Sequence, residues 1–193
     1  MTEQSETLAP HASAGVNDQP SKVWRVVPRA KRPTGPAWVV GKLAHEALRR
    51  WRFPGEEDFD VFLLPFALEL GLTDHAEIQA TINEVRRLLT RFQAHPLCRE
   101  IAEADRFHEV PYALPNDTGV IDLLYRSGGA WTIVDFKTDE VRSIEQMHET
   151  IAQAGYDAQV RRYVEAIADQ FKQRPRAMLV FLHVRNEVQI VEL

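Results

Sequence analysis

The chain has 193 residues, 45% hydrophobic and 26% charged, with a formal net charge of −5 and a single cysteine, Cys98. That length suits one domain with a substantial core plus a tail, and the acidic balance argues against nucleic-acid binding by bulk charge alone. One cysteine excludes a disulfide framework and a cysteine-held cluster or zinc knuckle; no apolar run is long enough for a membrane span, and the polar N-terminus lacks a signal peptide's core. A cytoplasmic location is expected.

Residues 1 to about 21 are rich in Ser, Ala, Asn, Gln and Pro without periodicity and read as a disordered tail. Residues 22–36, with Pro28, Pro33 and Pro36, read as an extended linker, so the folded domain is expected over 37–193. Basic residues cluster at Arg25, Arg29, Lys31 and Arg32, at Arg49, Arg50 and Arg52, and at Lys172, Arg174 and Arg176. Each cluster is either solvated surface or a basic margin around an acidic centre.

Helices come first. Over 41–51, Leu43, Ala44, Ala47, Leu48 and Trp51 make one apolar stripe, with His45 at its edge. A second helix is predicted over 58–70, kinked by Pro65. A third covers 75–93, with Ile78, Ile82, Val85, Leu88, Leu89 and Phe92 on one face and Thr73 or Asp74 as its cap. The β region begins near Asp105, where Phe107, Glu109 and Pro111 alternate with His108, Val110 and Tyr112; Pro111 suggests an edge or a bulge. A hairpin follows, then a helix over 143–171, then two strands joined near Asn186. The order predicts an α/β fold, a mixed sheet flanked by helices with a helical N-terminal part.

The hairpin carries the chemistry. Val120 to Tyr125 and Trp131 to Phe136 flank a Ser-Gly-Gly-Ala turn. With Gly128 and Gly129 as a two-residue loop, Asp122 falls opposite Asp135, where facing Cβ atoms lie roughly 4.5–5.5 Å apart and like charges repel. Two carboxylates so placed either share a proton or hold a cation. Lys137 shares the strand face of Asp135, roughly 6–7 Å further along. On their own, these charges could also sit solvated at strand ends. Likewise Tyr156, Gln159 and Tyr163 share one side of the later helix, as core packing or as part of a site.

Five elements then stand in order: G-x-x-x-H (Gly41 to His45), a strand Glu (Glu109), G-x-x-D (Gly119 to Asp122), D-x-K-T (Asp135 to Thr138) and Y-x-x-Q-x-x-x-Y (Tyr156, Gln159, Tyr163). In this order they resemble the PD-(D/E)xK nuclease superfamily, and within it the RecB-like, AddA-like nuclease domain of helicase–nucleases. The resemblance implies a restriction-endonuclease-like fold and a metal-dependent DNA nuclease of repair or recombination, exonucleolytic or single-strand-preferring. It also implies Mg²⁺ or Mn²⁺ held by His45, Asp122, Asp135 and the Phe136 carbonyl. Catalytic roles fall to Asp122, Asp135, Lys137, Gln159 and Tyr163. Tyr156 and Glu109 are weaker members; Glu109 is either an exposed strand side chain or a support for the metal. Expected partners are single-stranded DNA or duplex ends and a helicase subunit or domain, with no membrane. The chain lacks the Walker A motif of an ATPase motor and the four cysteines of the iron–sulfur members. It is thus a stand-alone relative, a subunit joining a helicase in trans, or a fragment of a longer polypeptide. The rival readings are a non-catalytic nucleic-acid-binding module and a partner-docking domain.

Overall fold

The computed structural model describes residues 35–193; the expected tail, most of the linker and the basic residues Arg25, Arg29, Lys31 and Arg32 lie outside them. Four helices lead: α1 (Ala37–Arg49), α2 (Phe59–Glu69), α3 (His75–Ala94) and α4 (Pro96–Glu103). Three strands follow, β1 (Asp105–Leu114), β2 (Asp117–Ser127) and β3 (Ala130–Lys137), then α5 (Ile144–Ala154), α6 (Tyr156–Phe171), β4 (Arg176–Val184) and β5 (Glu187–Glu192).

The strands lie in sequence order in one sheet. Every neighbouring pair is antiparallel except β3–β4, which is parallel because α5 and α6 carry the chain back across the sheet. This is the mixed, helix-flanked α/β fold of the restriction-endonuclease type. One face of the sheet, with Leu123, Tyr125, Val134, Phe136 and Val180, packs on α1–α4. The other, with Ile133, Leu179 and Phe181, packs on α5 and α6. Burial of both faces explains why β3 and β4 read as nearly continuous apolar runs. No helix among the described residues is long and apolar enough to cross a membrane.

Most elements follow the sequence pattern. The expected stripe of α3 is buried throughout, and Asp74 caps that helix by accepting a hydrogen bond from the Glu77 N–H at 2.8 Å. Helix α2 continues through Pro65. Strand β1 is an edge strand, where Pro111 is tolerated. Three expectations change. The first helix starts earlier, at Ala37, and ends before Trp51, which takes φ 53°. A short helix, α4, lies between α3 and β1. The helix expected over 143–171 is two helices, broken at Gly155, whose φ of 69° is left-handed and ends α5.

Candidate active site

The hairpin forms as its turn dictates. Gly128 and Gly129 take φ 57° and 85°, and Ser127 faces Ala130. Pairing runs inward to Leu123 opposite Val134, which leaves Asp122 and Asp135 as the next facing positions. There the ladder stops. The Phe136 N–H donates instead to Asp122 Oδ2 at 2.8 Å, so a carboxylate takes the place of a strand carbonyl. Asp122 sits in a second gap on its other side, between the pairs His108–Leu123 and Val110–Ile121, where β1 presents Glu109 at φ 51°. Ile121 and Leu124, three residues apart, both pack towards α5 and α6, so side-chain alternation breaks at this row. Glu109, Asp122 and Asp135 thus form an acidic row across three strands, at the point where the sheet is irregular.

Helix α1 brings His45 to that row. A Cβ on Gly41 would lie 2.9 Å from Thr138 Oγ1, so the missing side chain lets α1 approach the chain leaving β3. One turn further on, His45 Nδ1 is 3.5 Å from Asp122 Oδ1. The G-x-x-x-H spacing therefore has a steric cause at Gly41 and a charge partner at His45.

Lys137 is gripped from three sides. Its Nζ is 2.7 Å from Asp135 Oδ2, donates to Gln159 Oε1 at 3.1 Å, and lies 3.7 Å from the centre of the Tyr156 ring. Gln159 in turn donates from Nε2 to Tyr163 Oη at 2.6 Å, and Tyr156 donates to Asp139 Oδ2 at 3.1 Å. Tyr163 packs edge-on against Tyr112, ring centres 5.2 Å apart. The Tyr112 ring lies over Gly119, where a Cβ would come within 2.7 Å of it. Gly119 therefore makes room for a chain of contacts, Tyr112 to Tyr163 to Gln159, that ends at the Lys137 ammonium. The break at Gly155 sets Tyr156 at the first position of α6, under that ammonium.

Electrostatics follow from burial. Asp135 is 2% exposed, and burial together with the Asp122 charge raises its carboxyl to about 6, against the opposing pull of Lys137 and His45. Burial disfavours the His45 imidazolium, but the hydrogen bond and charge of Asp122, with help from Asp135, outweigh it and raise the imidazole pKa. Burial, then the Asp139 and Asp135 charges, push the Tyr156 phenol up to about 12. Burial with the Asp135 and Asp122 charges pushes Tyr163 up as well. Both tyrosines therefore keep their protons at neutral pH and act by orientation.

These groups open onto a cleft of about 2050 Å³, walled by α1, α3 and the end of the sheet. His45, Glu109, Asp122, Asp135, Phe136, Lys137, Tyr156 and Gln159 line it. Tyr163 stands behind, buried, reaching the site through Gln159. Glu109 is exposed at the cleft wall. Arg161 and Arg162 are paired with Asp157 and Asp117 at 2.9 and 2.8 Å. Sequence reasoning missed Tyr112 and Asp139. Tyr112 carried no motif signal, whereas Asp139, directly after D-x-K-T, did.

A family model described as the PD-(D/E)XK nuclease superfamily matches residues 21–192. The chain belongs to the PD-(D/E)XK nuclease superfamily. No curated protein matches it. One similar solved structure, that of protein VC1899 from Vibrio cholerae, shares 14% identity at a TM-score of 0.31, covering 76% of this chain and 41% of that one. The chain thus spans about two fifths of that protein's length, and so distant a likeness carries no weight here.

PD-(D/E)XK nucleases typically use divalent metals such as Mg²⁺ and act on nucleic acid. The residues present fit such an ion. Asp135 Oδ2 is buried and lacks an aligned hydrogen bond, since Lys137 Nζ is close but outside hydrogen-bond geometry. Two carboxylates suit a hard cation such as Mg²⁺ or Mn²⁺, and an imidazole beside them suits Mn²⁺. Among the described residues, however, no three such side chains already converge on one point. Asp122 is tied to the Phe136 N–H and leans to His45, while Asp135 is turned to Lys137. Mutual repulsion of the two carboxylates favours this arrangement over a ready-made cage.

Proposed function

We propose that this chain is a divalent-metal-dependent deoxyribonuclease that hydrolyses phosphodiester bonds in its cleft. The observation that carries the proposal is Asp135, buried beside Asp122 with Lys137 Nζ at 2.7 Å, in the D-x-K spacing of the superfamily. A charge so costly to bury suits a site where a cation arrives to meet it.

Asp122, Asp135, His45 and the Phe136 carbonyl would hold Mg²⁺ or Mn²⁺, which when bound supplies positive charge to the phosphoryl and leaving oxygens. His45 favours Mn²⁺ alongside Mg²⁺, because nitrogen ligands suit transition metals. Phe136 fixes its own peptide by seating its ring against Phe92, centres 5.2 Å apart, and its N–H holds Asp122 in place. Lys137 orients the attacking water, assists its deprotonation and offsets charge on the phosphate. Gln159 and the Tyr156 ring hold the ammonium on that line, and Tyr163 holds Gln159. Glu109 supports the acidic row from β1.

The five ordered motifs support a RecB-like, AddA-like placement within the superfamily. On that reading the substrate is single-stranded DNA or a duplex end, cut exonucleolytically or with single-strand preference in repair or recombination, with a helicase subunit or domain as partner. The test is to incubate the purified chain with end-labelled single- and double-stranded DNA and RNA, with Mn²⁺, Mg²⁺ or EDTA. Metal-dependent shortening of DNA is expected, and the product ladder distinguishes attack from ends from internal cutting. A folded, metal-binding chain that cuts neither DNA form would sink the proposal.

A further inference from the structure

Phe107 of β1, Trp131 of β3 and Phe171 at the end of α6 come together at the end of the sheet away from the catalytic pair. Trp131 stacks on Phe171 with ring centres 4.9 Å apart and planes 22° from parallel, and lies 6.0 Å from Phe107. Trp131 is rooted against the core beneath α6, but the flanking rings are open, Phe107 at 52% and Phe171 at 41% exposure. A cluster that merely closed the core would bury these rings.

The rim of this patch is basic. The Arg126 guanidinium, directly across the hairpin from Trp131, lies 5.7 Å from its ring centre. Lys172 follows Phe171 directly, whereas Arg176, in register with Thr132, projects from the opposite face of the sheet and takes no part. Lys172 meets Asp169 at 2.9 Å, but this pair is well exposed and holds its partners weakly. Asp105 faces Arg126 along the strands. Arg174 adds a further cation to the same run. Neither the three aromatics nor Arg126 lines the catalytic cleft.

We propose that this aromatic–basic patch is a second nucleic-acid site, which takes single-stranded bases by stacking and is separate from the cleft. Open rings flanked by the Arg126 guanidinium and the Lys172 ammonium match what unpaired bases and their phosphates offer, with no need for sequence readout. Trp131 shares the strand face of Asp135 and Lys137, and the six residue steps from Trp131 to Lys137 span roughly 20 Å. A strand longer than that reaches both places and gains from double attachment. This goes beyond the nuclease proposal, and its test does not depend on cleavage.

The experiment measures binding of fluorescein-labelled oligothymidylate to the full chain in EDTA by anisotropy. Photocrosslinking with 4-thiothymidine in the same oligonucleotide locates the contact. Phe107→Ala and Phe171→Ala are expected to weaken binding by about tenfold each, with melting temperatures unchanged, and crosslinks are expected on peptides carrying Phe107, Trp131 or Phe171. If the ring variants fail to fold, Arg126→Glu decides, since its side chain is exposed; it is expected to weaken binding at low salt at least tenfold. Affinity within twofold of wild type in folded variants, or crosslinks confined to the cleft, would overturn the proposal. So would concentration-dependent self-association that Phe107→Ala abolishes while oligonucleotide affinity stays the same, because the patch would then be a protein interface.

Discussion

At the scale of single residues, Asp135 sets the behaviour of the site. Its carboxyl titrates near 3.8 in an unfolded chain and at about 6 in the fold, so the folded state holds the proton more tightly. That contribution to stability is complete below pH 4 and is lost as pH rises through 6. Asp135→Asn removes the penalty. In EDTA the variant is expected to be more stable than wild type by about 1–3 kcal/mol at pH 8, and equal to it at pH 3.5, in urea denaturation at each pH. A variant less stable than wild type at pH 8 would contradict the account of the buried charge. The same proton competes with metal. Mn²⁺ affinity measured by calorimetry should fall about tenfold per pH unit below pH 6, and more steeply where His45, its own pKa raised by Asp122, must also lose a proton. A flat profile between pH 5 and 7 would rule out Asp135 as a ligand.

Asp122, Asp135 and Lys137 were legible because a two-residue Gly-Gly loop and a period of two fix a hairpin's register almost without tertiary information. Gln159 and Tyr163 were legible as a helix face. The grip of Tyr156 on Lys137, and of Asp139 on Tyr156, was not. It depends on where α6 lies against the end of β3, and no local pattern encodes that distance.

At the scale of elements, two glycines shape the site. Gly155 turns one apolar helical pattern into two helices; the period continues on both sides of it, so the sequence reads as one run, and only its left-handed φ separates them. Gly155→Ala has free space for its Cβ, so the cost is conformational, about 1 kcal/mol, read as a shift in denaturation midpoint. Gly119→Ala differs in kind. Its Cβ meets the Tyr112 ring, which must move and take Tyr163 and Gln159 with it. Cleavage should fall roughly tenfold with Mn²⁺ affinity unchanged, a split that kinetics and calorimetry resolve; equal losses in both would show that Gly119 supports the metal row instead. Helix α4 escaped notice because it is one short amphipathic stretch between α3 and β1, with only Leu97, Cys98 and Ile101 buried, begun by His95 and Pro96 in place of a Ser or Asp cap.

At the scale of the molecule, α1–α4 on one face and α5–α6 on the other leave the end of β3 open between them, and the cleft lies there. The fold class was readable from element order because a leading run of helices, a three-strand meander and a helical crossover admit few sheets. The break in strand alternation at Glu109 and Asp122 was not readable, since it spans β1 and β2 and needs a left-handed φ at a residue that rarely adopts one. Each helical layer contributes one arm of the site: α1 delivers His45 to Asp122, and α6 delivers Gln159 to Lys137. On the proposed function these arms meet at a hydrolytic centre in which Lys137 acts on the water and is not needed to hold the metal. Single-turnover cleavage of end-labelled DNA by Lys137→Ala, beside wild type in saturating Mn²⁺, tests this most directly. We expect cleavage to drop about 10²- to 10⁴-fold while Mn²⁺ affinity is retained or increased, because Asp135 loses its competing cation. Cleavage by the variant at the wild-type rate would contradict the assignment of this cleft as the catalytic centre.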